Sequence, residues 1–114
     1  MFTKFEITSF LKNSTLVVYN NKLIFSVEKI RQEFMKDNPE LNICCNSMKK
    51  VLFGFSRKTR YDIYRDRFKV ISDRNLTREI IAYIYENFTY DEIYSRVFDI
   101  DRFENTLLNR IYSR

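Results

Sequence analysis

Apolar residues along this chain change rhythm several times, and each change marks an expected element. Met1–Lys12 brings Phe2, Phe5, Phe10 and Leu11 on or near one helical face, while Phe5 and Ile7 also alternate as in a strand. Thr15–Tyr19 and Lys22–Phe25 are β-branched and aromatic runs around Asn20-Asn21. Asparagine tolerates positive φ, so these runs predict a small hairpin. Ser26 offers an N-cap, and Val27, Ile30, Phe34 and Met35 follow on one helical face. Asp37-Asn38-Pro39 ends that helix, because proline disfavours helical geometry at the residue before it. A second helix is expected over Met48, Val51, Leu52 and Phe55, with Asn46 or Ser47 as cap and Gly54 near its end.

From Thr59 to Ser72 the period shortens to two. Tyr61 and Ile63 alternate with Arg60 and Asp62, and Phe68 and Val70 with Arg67 and Lys69. This predicts two antiparallel strands joined by a charged tip at Tyr64–Arg67. Helical spacing then returns with Leu76, Ile80, Ile81, Ile84 and Phe88, behind Asp73 or Asn75 as cap. Thr89 and Glu92 form a capping box before Ile93, Val97 and Phe98, and Asp101 with Glu104 resembles the same signal before Phe103, Leu107, Leu108 and Ile111. The expected class is α+β: a basic part with a small β-hairpin over 22–72, then three short helices over 75–114, within one domain of 114 residues.

Charge sharpens this division. Residues 1–74 hold fifteen Lys/Arg against eight Asp/Glu, whereas 75–114 hold five against seven. Between Lys49 and Lys69, eight cations face only Asp62 and Asp66. Such a stripe is the footprint of a polyanion-binding face; a solvated basic surface without a partner is the plainer reading.

The order strand, helix, connection, helix, basic hairpin over about Lys22–Ser72 resembles a winged helix-turn-helix domain. The connection Asp37–Asn46 is longer than the tight turn of a simple helix-turn-helix. The resemblance implies nucleic-acid binding, with DNA ahead of RNA, as in transcription and replication proteins including those of large DNA viruses. Lys49 and Lys50 on the exposed side of the second helix suit a major groove. Asn46 and Ser47 at its start suit a phosphate, or act only as caps. Arg65 and Arg67 would reach from the hairpin tip. Arg57, Lys58 and Arg60, between these elements, would position rather than specify, and Lys69 belongs to the same basic face. The abundance of Asn, Lys, Ile, Phe and Tyr beside a single Ala fits an AT-rich coding bias, such as a virus has.

Other chemistry is thinly supplied. The absence of His removes His-based acid–base work and His-metal sites, and there is no CxxC and no Gly-rich phosphate loop. We therefore expect a non-enzymatic protein with no cofactor and no metal. A His-independent ribonuclease using Arg60, Tyr61, Tyr64, Arg65 and Arg67 is the enzymatic alternative. Cys44 and Cys45 read as small packed residues of a reduced compartment, cytoplasmic or nuclear. Met1–Asn13 has no apolar h-region and no run is long enough to span a membrane, so neither secretion nor a membrane partner is expected. Tyr83, Tyr85, Tyr90, Tyr94 and Tyr112 motivate a further alternative, a protein-interaction module or a homodimer through the C-terminal helices.

Overall fold

Two asparagines in left-handed geometry organise the centre of the molecule. In the computed structural model, which describes residues 6, 9, 11, 15–54 and 59–112, Asn20 and Asn21 have φ of 48° and 61°. Positive φ at both central residues is what a two-residue type I′ turn needs. The turn joins β1 (Leu16–Tyr19) to β2 (Lys22–Phe25), with Leu16 opposite Phe25 and Tyr19 opposite Lys22. β3 (Phe68–Val70) adds antiparallel to the outside of β1, and β4 (Val97–Asp99) to the outside of β2, giving the order β3-β1-β2-β4. The fold is α+β with a four-stranded antiparallel sheet.

The sheet is covered on both faces, and the period-two rule sorts its side chains. Val17, Tyr19 and Ile24 point to one side, where Phe68, Val70 and Val97 join them. There they meet α1 (Val27–Asp37) through Ile30 and Phe34, and α2 (Cys45–Phe53) through Met48, Val51 and Leu52. Leu16, Val18, Leu23, Phe25 and Phe98 point the other way. That layer consists of α3 (Arg74–Asn87), α4 (Tyr90–Ser95) and α5 (Asn105–Tyr112), with Ile80, Ile84, Ile93, Leu107 and Ile111 buried against the strands. The C-terminal apolar stripes thus pack onto the basic half through the sheet. The basic and helical halves are not separate bodies, since β4, from beyond residue 75, pairs with β2.

Helix boundaries follow local chemistry. Ser26 caps α1 by accepting from the Lys29 amide, and Asn38 closes it by donating to the Phe34 carbonyl ahead of Pro39. Asp73 caps α3. The Thr89–Glu92 capping box forms at α4. Gly54 ends α2 in left-handed geometry, with φ of 63°.

Three expectations are corrected. Residues 59–72 do not form a hairpin: Asp62–Arg67 is a 3₁₀ segment and only Phe68–Val70 is a strand, paired to β1. Local bonds win over alternation here. The Asp62 carboxylate accepts from the Thr59 amide and from Arg65, and the Thr59 hydroxyl accepts from the Tyr61 amide. Such side-chain-to-backbone bonds compete with a ladder, and the eclipsed i,i+3 positions of a 3₁₀ turn suit the Asp62–Arg65 pair. The helix after Thr89 also stops early. Arg96 turns left-handed at φ 62°, and Val97 and Phe98 become β4. The helix expected to start behind Asp101 begins at Asn105, after a 3₁₀ turn over Ile100–Arg102. Of Met1–Lys12, only Glu6, Ser9 and Leu11 are described, all helical, with Leu11 fully buried; the rest of that expectation lies outside the described residues. No helix among the described residues is long and apolar enough to cross a membrane.

Candidate nucleic-acid interface

α2 buries Met48, Val51 and Leu52 against the sheet, which turns the opposite side outward. Asn46, Lys49, Lys50 and Phe53 recur there at i, i+3, i+4 and i+7 and are all exposed, Phe53 at 42%. No carboxylate pairs with Lys49 or Lys50 among the described residues. The helix starts earlier than expected, at Cys45 with Cys44 as cap, so Asn46 and Ser47 lie inside the first turn. The Cys44 thiol donates to the Ser47 hydroxyl at 3.3 Å. Turned to donate to the thiolate, that hydroxyl, with nearby amides, holds the Cys44 thiol below its ordinary range. Cys45 donates to the Glu28 carboxylate at 2.8 Å, and this bond pushes its thiol up.

The 3₁₀ segment lies along α2 and divides the remaining cations by task. Arg65 is a structural brace. Its Nε donates to the Val51 carbonyl at 2.9 Å, one guanidinium nitrogen reaches the Lys50 carbonyl at 3.4 Å, and the same nitrogen pairs with Asp62 at 2.9 Å. A cation at the C-terminal carbonyls of a helix satisfies unpaired acceptors and the helix dipole. The expectation of Arg65 at an exposed hairpin tip is therefore corrected. Arg67 stays exposed, its guanidinium 4.8 Å from the centre of the Tyr64 ring. Arg60 is also exposed, lying 4.8 Å over the Tyr61 ring and donating to the Tyr61 hydroxyl at 2.5 Å.

Lys69 belongs to neither group. Strand alternation sends Phe68 and Val70 toward α1 and α2 and Lys69 the other way, where it donates to the Ile111 carbonyl and lies 5.8 Å over the Tyr112 ring. It is spent on the end of α5 and does not share the face of α2. Arg57 and Lys58 lie outside the described residues. Of the ten residues singled out from the sequence, the structure brings Asn46, Lys49 and Lys50 onto one helical face, sets Arg60 and Arg67 on the neighbouring segment, and turns Arg65 and Lys69 to structural work.

Sequence reasoning missed the surface beside Arg60. Ile63, expected inside a strand, is 80% exposed. Buried Tyr61 and half-buried Tyr64 are spaced by three, as a 3₁₀ turn requires, and that spacing was the available signal. Residues 40–42, 60, 61, 63 and 64 line a groove of about 220 Å³ there. The C-terminal tyrosines also divide: Tyr83 and Tyr85 pack partly onto the core, while Tyr90, Tyr94 and Tyr112 are more than half exposed. No protein family, no curated protein and no solved structure matches the chain.

Proposed function

We propose that this is a non-enzymatic nucleic-acid-binding protein that uses the outer side of α2 on a phosphate backbone, with duplex DNA as its first ligand. The observation that carries the reading is the pair Lys49 and Lys50, exposed, adjacent and without a carboxylate partner among the described residues. Arg60 and Arg67 extend the cationic surface along the 3₁₀ segment. The winged-helix likeness now supports only the use of a basic helix; no hairpin at 59–72 takes part. A cation that meets phosphate releases counterions, which makes affinity fall with salt.

The test is a fluorescence-anisotropy titration of duplex DNA over a range of salt. Four contacts predict a slope of log K against log salt of about −3.6. Lys49→Glu with Lys50→Glu should weaken binding and flatten the slope by about two units. Arg74→Glu with Arg78→Glu, exposed changes on α3 across the sheet, should leave it alone. These are better controls than Arg102 and Arg110, which pair with Glu92 and Glu79. A protein that binds neither DNA nor RNA at low salt lacks this function.

A second reading rests on Tyr90 and Tyr94, 54% and 56% exposed and four residues apart on α4. Aromatic residues on one helical face suit a protein partner or a homodimer. Sedimentation at micromolar concentration distinguishes them: an assembly lost on Tyr90→Ser with Tyr94→Ser supports the dimer, and a monomer throughout removes it.

A further inference from the structure

The groove beside the 3₁₀ segment shares Arg60 with the proposed cationic surface, but the rest of its lining differs in chemistry from the outer side of α2. One side offers flat and apolar surfaces. These are the Arg60 guanidinium stacked on Tyr61, the Tyr64 ring, and Ile63 at 80% exposure. The opposite rim carries Glu40 and Asn42, both exposed, whose side chains form no bond among the described residues. One bond joins the two sides before any ligand arrives, and others hold each side in shape. The Tyr61 hydroxyl donates to the Asn42 carbonyl at 3.4 Å, the Leu41 amide donates to the Asn38 carbonyl at 2.9 Å, and Asp62 ties Thr59 to Arg65. Tyr64 is further fixed edge-on to Phe34, with ring centres 5.1 Å apart.

We propose that this groove takes one unpaired nucleobase, adenine or cytosine, from the nucleic acid held by α2. The proposal rests on the nucleic-acid reading and names a substrate feature within it. Unstacked bases are bound between guanidinium or aromatic planes and apolar side chains. A carboxylate at the rim repels phosphate but accepts hydrogen bonds from an exocyclic amino group, which adenine and cytosine present at N6 and N4. Thymine offers a carbonyl oxygen in that position and meets Glu40 unfavourably. Asn42, donor and acceptor at once, serves the neighbouring ring nitrogen. The ligand is then a duplex with an unpaired nucleotide beside it, rather than a blunt duplex.

Three labelled DNAs test this by anisotropy at one salt concentration: a blunt duplex, the same duplex with a short adenine overhang, and the same with a thymine overhang, each overhang placed at either end. We expect the adenine overhang to tighten binding by about 5- to 100-fold and the thymine overhang to do less. Ile63→Ala should abolish most of that gain and leave the blunt duplex unchanged. Glu40→Gln should shrink the adenine–thymine difference, since an amide donates as well as accepts. Circular dichroism checks that both exposed variants fold, and either variant alone tests the site. Equal binding of blunt and overhung duplexes, or a full gain retained in both Ile63→Ala and Glu40→Gln, overturns the base site while the α2 reading stands. Failure of all three DNAs to bind at low salt overturns the α2 reading and the base site with it.

Discussion

Ser26 stands at φ 105° and ψ 142°, a region that suits glycine, at the point where β2 hands over to α1. Its amide donates to the Thr15 carbonyl at 2.8 Å and its hydroxyl caps the helix, so two useful bonds hold a strained backbone in place. Such strain costs about 1–3 kcal/mol, whereas replacing a serine cap by glycine costs a few tenths. We expect Ser26→Gly to stabilise the fold by about 1 kcal/mol and Ser26→Ala, which keeps the strain and loses the cap, to destabilise it by about 1 kcal/mol. Urea denaturation of the two variants checks the opposite signs. Glu33 is a second informative residue. Burial pushes its carboxyl up, but bonds from Lys22 at 2.9 Å and Lys36 at 3.1 Å outweigh burial and hold it below its ordinary value. A carboxyl that is lower in the folded than in the unfolded chain stabilises the fold above its unfolded value, about 4.3. That stability disappears as pH falls through the folded value. Glu33→Gln should therefore cost about 1–3 kcal/mol at neutral pH and reduce the loss of stability below about pH 4, as read from melting temperature against pH.

At the scale of elements, the 3₁₀ segment is a strut for α2. Arg65→Ala removes the bonds to Val51, Lys50 and Asp62 together. We expect a loss of about 1–3 kcal/mol in stability with little change in the salt slope of DNA binding at a temperature where the variant is folded. A steep fall in the slope instead would return Arg65 to the contact surface. The same segment shows what is legible in the residues alone. The hairpin at Asn20-Asn21, the two ends of α1, the left-handed Gly54 and the Thr89–Glu92 box all depend on residues within a few positions of each other, and each follows from its local pattern. Residues 59–67 and 96–98 depart from their pattern, and Phe68–Val70 keeps its period but pairs elsewhere than expected, because the deciding partners lie far along the chain. Phe68 and Val70 become a strand by joining β1, and Val97 and Phe98 by joining β2. Period two at Tyr61 and Ile63 had no such partner and yielded to Asp62 and Thr59. For the site, the exposed lysines of α2 are legible from helical spacing. The brace by Arg65 and the inward turn of Lys69 are not, because both are settled by tertiary packing.

On the scale of the whole molecule, the basic stripe and the acidic half lie on opposite sides of one sheet that is packed on both faces. The free cations of α2 and the 3₁₀ segment belong to one layer, while the acidic half forms the other and settles many of its own charges, as in the pairs Arg102–Glu92 and Arg110–Glu79. Arg102 and the Thr89 amide hold the Glu92 carboxyl down to about 2, so this pair keeps its charge across the ordinary range of pH. The proposed binding surface is thereby separated from the elements that cover the sheet from behind.

The order β3-β1-β2-β4 also implies a sequence of events in time. The central hairpin closes over a few residues, but its outer neighbours arrive late: β3 some fifty positions after β1, and β4 more than seventy after β2. Until Val97–Asp99 is in place, β2 has an open edge, and Leu23 and Phe25 lack much of their covering. A growing or shortened chain is thus sticky for most of its synthesis. Residues 1–72 alone, although they contain every cation of the proposed interface, should give broad amide resonances and aggregate on concentration. The smallest active unit would then extend beyond the binding residues to the strand that closes the far edge, and a well-dispersed spectrum from the shorter piece would show the opposite.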